Sequence, residues 1–232
     1  EVATLLGVSP ERICLPVSAT FGLNQAIHGV VTAGTHVIAT AADHNASLRP
    51  LHYLKKKGCI DLTVVSCDGR GWVDPDDIVR AWRPNTSLVT LSHSSNVTGV
   101  TQEVDSIVKV AQEREALSLL DASQSLGHVA FSQYESMADI VVSPGHKWLM
   151  GMHGIAVLYA RQGIHFDPLI QGGTGSTSES LEMPVEMQDQ VEVGTSDFPA
   201  AAALLAGCRW LKEERVESVA AACKGYAQAC YD

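Results

Sequence analysis

The sequence predicts a three-layer α/β/α fold built on a mostly parallel, seven-stranded sheet. Short apolar runs alternate with helix-like segments along the whole chain, the pattern of strands joined by helical crossovers. The runs are continuously apolar and rich in valine and isoleucine, as strands buried on both faces are. Polar residues capable of chemistry gather where the runs end. With 232 residues and 46% hydrophobic content, the chain can bury one sizeable core.

Taken in order, the expected strands are 12–15, 36–40, 62–66, 88–92, 117–121, 139–143 and 155–160. Expected helices fill the gaps. One at 20–31 follows the turn Ser18-Ala19-Thr20, and another at 48–57 closes at Gly58. Asp74-Pro75-Asp76-Asp77 is a strong start signal, with a capping Asp, Pro at the first helical position and acids in the first turn. A further helix at 104–114 fills the next crossover. From 171 to 197 the chain turns polar and glycine-rich, a long loop of the kind that carries function. The alanine-rich stretch 200–222 reads as a single long packing helix. The expected organisation is a large domain over 1–199 and, over 200–232, a helix leading toward a further domain absent from this chain. The chain begins without methionine inside a helix-like segment and stops inside an alanine-rich one, so a fragment is expected.

Composition narrows the function classes. No apolar stretch is long enough to span a bilayer, and no signal-type segment stands at the start. A formal net charge of -10 argues against nucleic acid or an anionic membrane as partner. The six cysteines (14, 59, 67, 208, 223 and 230) show no C-x-x-C spacing and no metal-ligand rhythm. Reduced thiols of a cytoplasmic protein are the expectation, and no metal site is expected.

The chemistry-bearing residues sit at successive strand ends. Thr20 follows the first strand, His44 the second and Asn96 the fourth. Asp121 and Gln124 follow the fifth, in Asp121-Ala122-Ser123-Gln124, and Lys147 the sixth, in Pro144-Gly145-His146-Lys147-Trp148. An acid at one strand end and a lysine at the next is what pyridoxal phosphate (PLP) chemistry needs. The lysine amine forms an imine with the cofactor aldehyde, and a carboxylate against the pyridine nitrogen keeps it protonated so that the ring can absorb electrons. Each residue also has a plainer reading. Asp121 and Thr20 could cap helices, Gln124 and Asn96 could bond loop backbone, His44 could be a loop histidine bonded to backbone, and Lys147 could be solvated.

The ordered set Ser18-Ala19-Thr20, Asp43-His44-Asn45-Ala46, Ser92 to Gly99, Asp121 to Gln124, Gly145-His146-Lys147, Gly172 to Ser176 and Glu192-Val193-Gly194-Thr195 resembles the class V aminotransferase family of PLP enzymes, especially cysteine desulfurases. The resemblance implies the large-domain fold of PLP-dependent transferases and assigns the roles that follow. Lys147 is the cofactor-bonding lysine, Asp121 the partner of the pyridinium nitrogen and Gln124 the partner of the ring oxygen. Asn96 lies near that oxygen or the substrate carboxylate. His44 stacks on the ring and moves protons. Ala19 and Thr20 lie at the phosphate, which sits at a helix start, and His146 either contacts the phosphate or packs beside the lysine. Thr195 reaches the phosphate of a neighbouring subunit, so each site of a homodimer takes residues from both chains.

Three departures from the family pattern stand out. Pro144 replaces the usual Ser or Thr three residues before the lysine, and it lacks both hydroxyl and N–H, so weaker cofactor affinity is expected. Ser196-Asp197 replaces a Pro-Asn pair and brings an extra acid. The family's small C-terminal domain, with its substrate-binding arginine and sulfur-accepting cysteine, does not appear. The resemblance thus implies a PLP enzyme acting on a small amino acid, most plausibly converting cysteine to alanine plus enzyme-bound sulfur for an acceptor protein. A class V aminotransferase or a selenocysteine/cysteine lyase shares every residue named. A non-catalytic relative of the fold has no physical need for Lys147, Asp121, Gln124 and His44 together.

Overall fold

The computed structural model describes residues 1–129 and 138–231. Seven strands form one sheet: β1 (Ile13–Cys14), β2 (His36–Thr40), β3 (Asp61–Val65), β4 (Thr86–Ser92), β5 (Leu117–Asp121), β6 (Ile140–Pro144) and β7 (Ala156–Ala160). Their order is β1-β7-β6-β5-β4-β2-β3. The run from β3 to β6 is parallel throughout, whereas β7 is antiparallel to both β6 and β1. The expected seven-stranded, mostly parallel sheet is therefore the observed one.

Eight helices accompany the sheet among the described residues: α1 (Val2–Leu6), α2 (Ala19–Val30), α3 (Asn45–Lys56), α4 (Pro75–Ala81), α5 (Val104–Glu113), α6 (Met187–Val191), α7 (Phe198–Glu214) and α8 (Val216–Tyr231). Two apolar clusters, one on each face of the sheet, explain the three layers. Leu23 and Ile27 of α2, Leu51 of α3 and Met187 and Val191 of α6 pack on one side. Ile78 of α4, Ile107 of α5 and Leu204 and Leu211 of α7 pack on the other. Successive strand residues take opposite sides: Leu119 joins the first cluster and Leu120 the second, and Val157, Leu158 and Tyr159 alternate likewise. Burial on both faces is why the strand sequences show no polar alternation.

Beyond shifts of one or two residues at other element ends, four differences from expectation have a physical cause. Strand β6 runs one residue further, so Pro144 belongs to it and pairs with Ala156. Helix α3 starts at Asn45, because the preceding His44 caps it with its own ring nitrogen. The loop 171–197 contains α6, held by burial of Met187 and Val191 one turn apart. The stretch expected as one helix is broken at Arg215, whose φ of 66° lies in the left-handed region and separates α7 from α8.

Candidate active site

At the carboxyl ends of the parallel strands lies a cavity of about 230 Å³. Lys147, Asp121, Gln124, His44, Asn96, His146, Ala19 and Thr20 all line it. Eight of the nine residues expected at the site are therefore brought together. The ninth, Thr195, lines a different cavity with Glu192, Gly194 and Asp197.

Lys147 stands in the turn that follows β6. The turn is held by Gly145 N–H donating to Ile155 O (3.0 Å) and Gly151 N–H donating to Gly145 O (2.8 Å). Helix α7 presses on it from behind, and a Cβ on Gly207 would come within 2.1 Å of the Leu149 carbonyl oxygen. Glycine at 207 allows that approach. Asp121 ends β5, is 5% exposed, and accepts from Ser123 N–H at 3.0 Å. Its neighbour Ala122 donates to Val142 O of β6 (2.8 Å), which keeps the tips of β5 and β6 side by side. Trp148, next to the lysine, donates its indole N–H to Gln124 Oε1 at 3.4 Å and stacks on His128 at 3.9 Å. With its oxygen so engaged, the Gln124 amide is left with its NH2 group as the free end.

The opposite wall comes from α2 and α3. Ser18 caps α2, its hydroxyl accepting from Phe21 N–H at 3.1 Å, so the N–H groups of Ala19 and Thr20 in the first turn have no intrahelical partner. His44 donates its N–H to Ser92 Oγ (3.3 Å) and accepts from Ala46 N–H on Nδ1 (3.1 Å). In the neutral ring the proton is then on Nε2. Both the backbone-bonded reading of His44 and its place in the cavity hold at once. His146 packs its ring 4.1 Å from that of His153. Its pKa is lowered, first by partial burial and then by the charges of His153 and Lys147.

The departures now have structural positions. Pro144 lines the cavity where a hydroxyl is the usual residue. The adjacent Ser143 does not stand in for it, since its buried hydroxyl donates to Ala122 O at 3.3 Å. The extra acid, Asp197, caps α7, accepting from Ala200 N–H at 2.9 Å. None of the six cysteines lines the cavity. Burial pushes the Cys14 thiol far up and that of Cys208 up to about 11, as inert packed thiols behave. Among the described residues no helix is long and apolar enough to cross a membrane.

Several lining residues stand in the quoted motifs but carry no role there. Ser92, Ser94, Ser95 and Ser123 add a group of hydroxyls. Their position at the tips of β4 and β5 was the available signal, but serine at a strand end is too common to single out. The buried Asp43, just before His44, was legible only as part of a motif.

Comparison with known proteins supplies the family and the fold. The family model described as Aminotransferase class-V matches residues 1–232. The cysteine desulfurase IscS of Dictyoglomus turgidum is 33% identical over 178 residues, covering 75% of this chain and 45% of that protein. Among solved structures, the apo cysteine desulfurase of Thermococcus onnurineus NA1 superposes with a TM-score of 0.84 at 28% identity, over 93% of this chain and 56% of that one. The cysteine desulfurase CsdA of Escherichia coli, at 21% identity and a TM-score of 0.86, shares the fold over 94% of this chain and 56% of its own. The chain thus spans about half the length of the proteins it matches. A family model that runs from the first residue to the last leaves no segment outside the match: the chain belongs to the class-V aminotransferase family.

Proposed function

We propose that the cavity binds pyridoxal phosphate and that the chain is the cofactor-binding part of an enzyme resembling the cysteine desulfurases. The observation that carries this reading is that the Lys147 amine and the Asp121 carboxylate line one cavity from the ends of adjacent strands. The donor set fits the cofactor group by group. An amine suits the aldehyde, a buried carboxylate the pyridine nitrogen, and an amide with a free NH2 end the ring oxygen. The unpaired N–H groups at the start of α2 suit a phosphate. When bound, PLP supplies an electron sink for carbanion chemistry at the substrate α-carbon.

The chain's own residues orient and protect. Asp121 holds a proton at the pyridine nitrogen, and Thr20 and Ala19 hold the phosphate. His44, with its proton on Nε2, covers the cavity and exchanges protons there. Thr195, which lines a separate cavity of its own chain, is assigned to the phosphate of a second copy in a homodimer on the strength of the family resemblance alone. The cofactor-binding domain then takes in residues 1–199 together with the rest of α7, which packs into its core, and α8 leads toward a second domain.

On this reading the full enzyme takes sulfur from cysteine and passes it to an acceptor protein. A second reading, an aminotransferase or lyase without a catalytic cysteine, shares every residue that lines the cavity. Titrating the chain with PLP tests the cofactor: absorbance at the edge of the visible should grow with the wild type and be lost with Lys147→Ala. Assaying the full-length enzyme with cysteine separates the reactions, since sulfide supports the first reading and a keto acid without sulfide the second.

A further inference from the structure

The backbone ladder between β2 and β4 stops at Ile38 and Val89. Beyond it, the buried side chain of Asp43 continues the connection. Its Oδ1 accepts from Thr40 Oγ1 and from Ser92 N–H, each at 2.8 Å, and its Oδ2 accepts from Thr40 N–H and from Thr90 Oγ1, each at 3.1 Å. Four donors from two strands thus converge on one carboxylate. The next residue hangs from the same strand end: His44 donates its N–H to Ser92 Oγ and accepts from Ala46 N–H on its ring. His44 and Ser92 line the cavity, whereas Asp43 does not.

We propose that Asp43 is a positioning residue for His44, locking the turn from β2 to α3 onto the tip of β4 so that the imidazole is held at the cavity in one orientation and one tautomer. A carboxylate suits this place and an amide does not. Two of the four donors are backbone N–H groups, one against each carboxylate oxygen, and they cannot turn round to accept. An asparagine in either flip sets its NH2 against one of them. Site residues require support of this kind, because small displacements of a reacting group are costly to function.

The role given to His44 rests on the PLP reading, but the coupling of Asp43 to His44 is measurable without the cofactor. In the 15N-labelled chain free of PLP, Asp43→Asn should speed exchange of the Ala46 amide by about tenfold or more, the scale of a lost buried hydrogen bond. It should also pull the two His44 ring nitrogen shifts toward averaging, with amides of β5 and β6 unchanged. Thr90→Val, which removes one hydroxyl donor that does not line the cavity, should do the same to a smaller extent and carries the test if the asparagine variant does not fold. Unchanged Ala46 exchange and an unchanged His44 tautomer in a folded variant would overturn the proposal and leave Asp43 as a strand staple. Failure of the PLP titration in the wild type would instead remove the cofactor reading and leave this coupling intact.

Discussion

Asp121 and Lys147 face the same cavity from adjacent strand tips: Asp121 closes β5 in register with Val142, and Lys147 follows Pro144 in the turn beyond β6. The β5–β6 pairing fixes the acid, and the turn packed on α7 fixes the amine. Neither depends on a flexible loop for its position.

Pro144 is the point at which this site departs from its family. It lines the cavity with neither hydroxyl nor N–H, and Ser143 is committed to Ala122 O. Pro144→Ser is expected to tighten PLP binding by roughly five- to tenfold, the worth of about one net hydrogen bond. A spectroscopic titration of wild type and variant measures it, and equal affinities would mean that no phosphate contact is made from this position.

Gly207 tests how the lysine turn is held. Its Cβ would strike the Leu149 carbonyl at 2.1 Å, against backbone that cannot yield as a side chain does. Gly207→Ala should destabilise the chain by about 1–3 kcal/mol and weaken PLP binding through displacement of Lys147. Gly225 of α8 has no atom within 4 Å of its would-be Cβ. Gly225→Ala should therefore stabilise by roughly 0.5–1 kcal/mol with no change in cofactor binding. Denaturant melts of the two variants make the comparison.

Much of this arrangement is legible in the sequence alone. The strands were legible because burial on both faces leaves continuous apolar runs, and β2 and β5 fall at the expected residues. The cavity residues were legible because they punctuate those runs. What could not be read depends on contacts distant in sequence or on unusual local chemistry. The start of α3 was hidden because a histidine ring, not a Ser or Asp, caps it. The break at Arg215 has no glycine or proline to announce it. Helix α6 is stabilised by Met187 and Val191 reaching the core beside β1, and Gln188 donates to Glu11 O at 2.8 Å, a contact between opposite ends of the chain. The role of Asp43 exists only once β2 and β4 are neighbours.

Acid should reveal the buried histidine His93, at the tip of β4. It is 7% exposed, and burial lowers its pKa from 6.5 to about 4, with Asp105 opposing the shift. A histidine whose folded pKa lies below its unfolded value supports the fold while neutral, and that support is lost as pH falls from 6.5 toward 4. Asp43 acts in the opposite sense, since burial raises its pKa from 3.8 to about 6 and the folded state holds its proton more tightly across that window. Their overlap masks each in the wild type. Relative to wild type, His93→Gln should gain on the order of 3 kcal/mol between pH 7 and pH 4. Urea midpoints across that range measure the difference, and parallel curves would contradict the assignment to His93.

The most direct measurement of the central claim is chemical. The chain is mixed with PLP, reduced with borohydride to make any lysine linkage permanent, digested, and mapped by mass spectrometry. The pyridoxyl group should be found on Lys147, with labelling abolished by Lys147→Ala and weakened by Asp121→Ala. Labelling spread over surface lysines such as Lys55 to Lys57, or undiminished in the Lys147→Ala variant, would contradict the account.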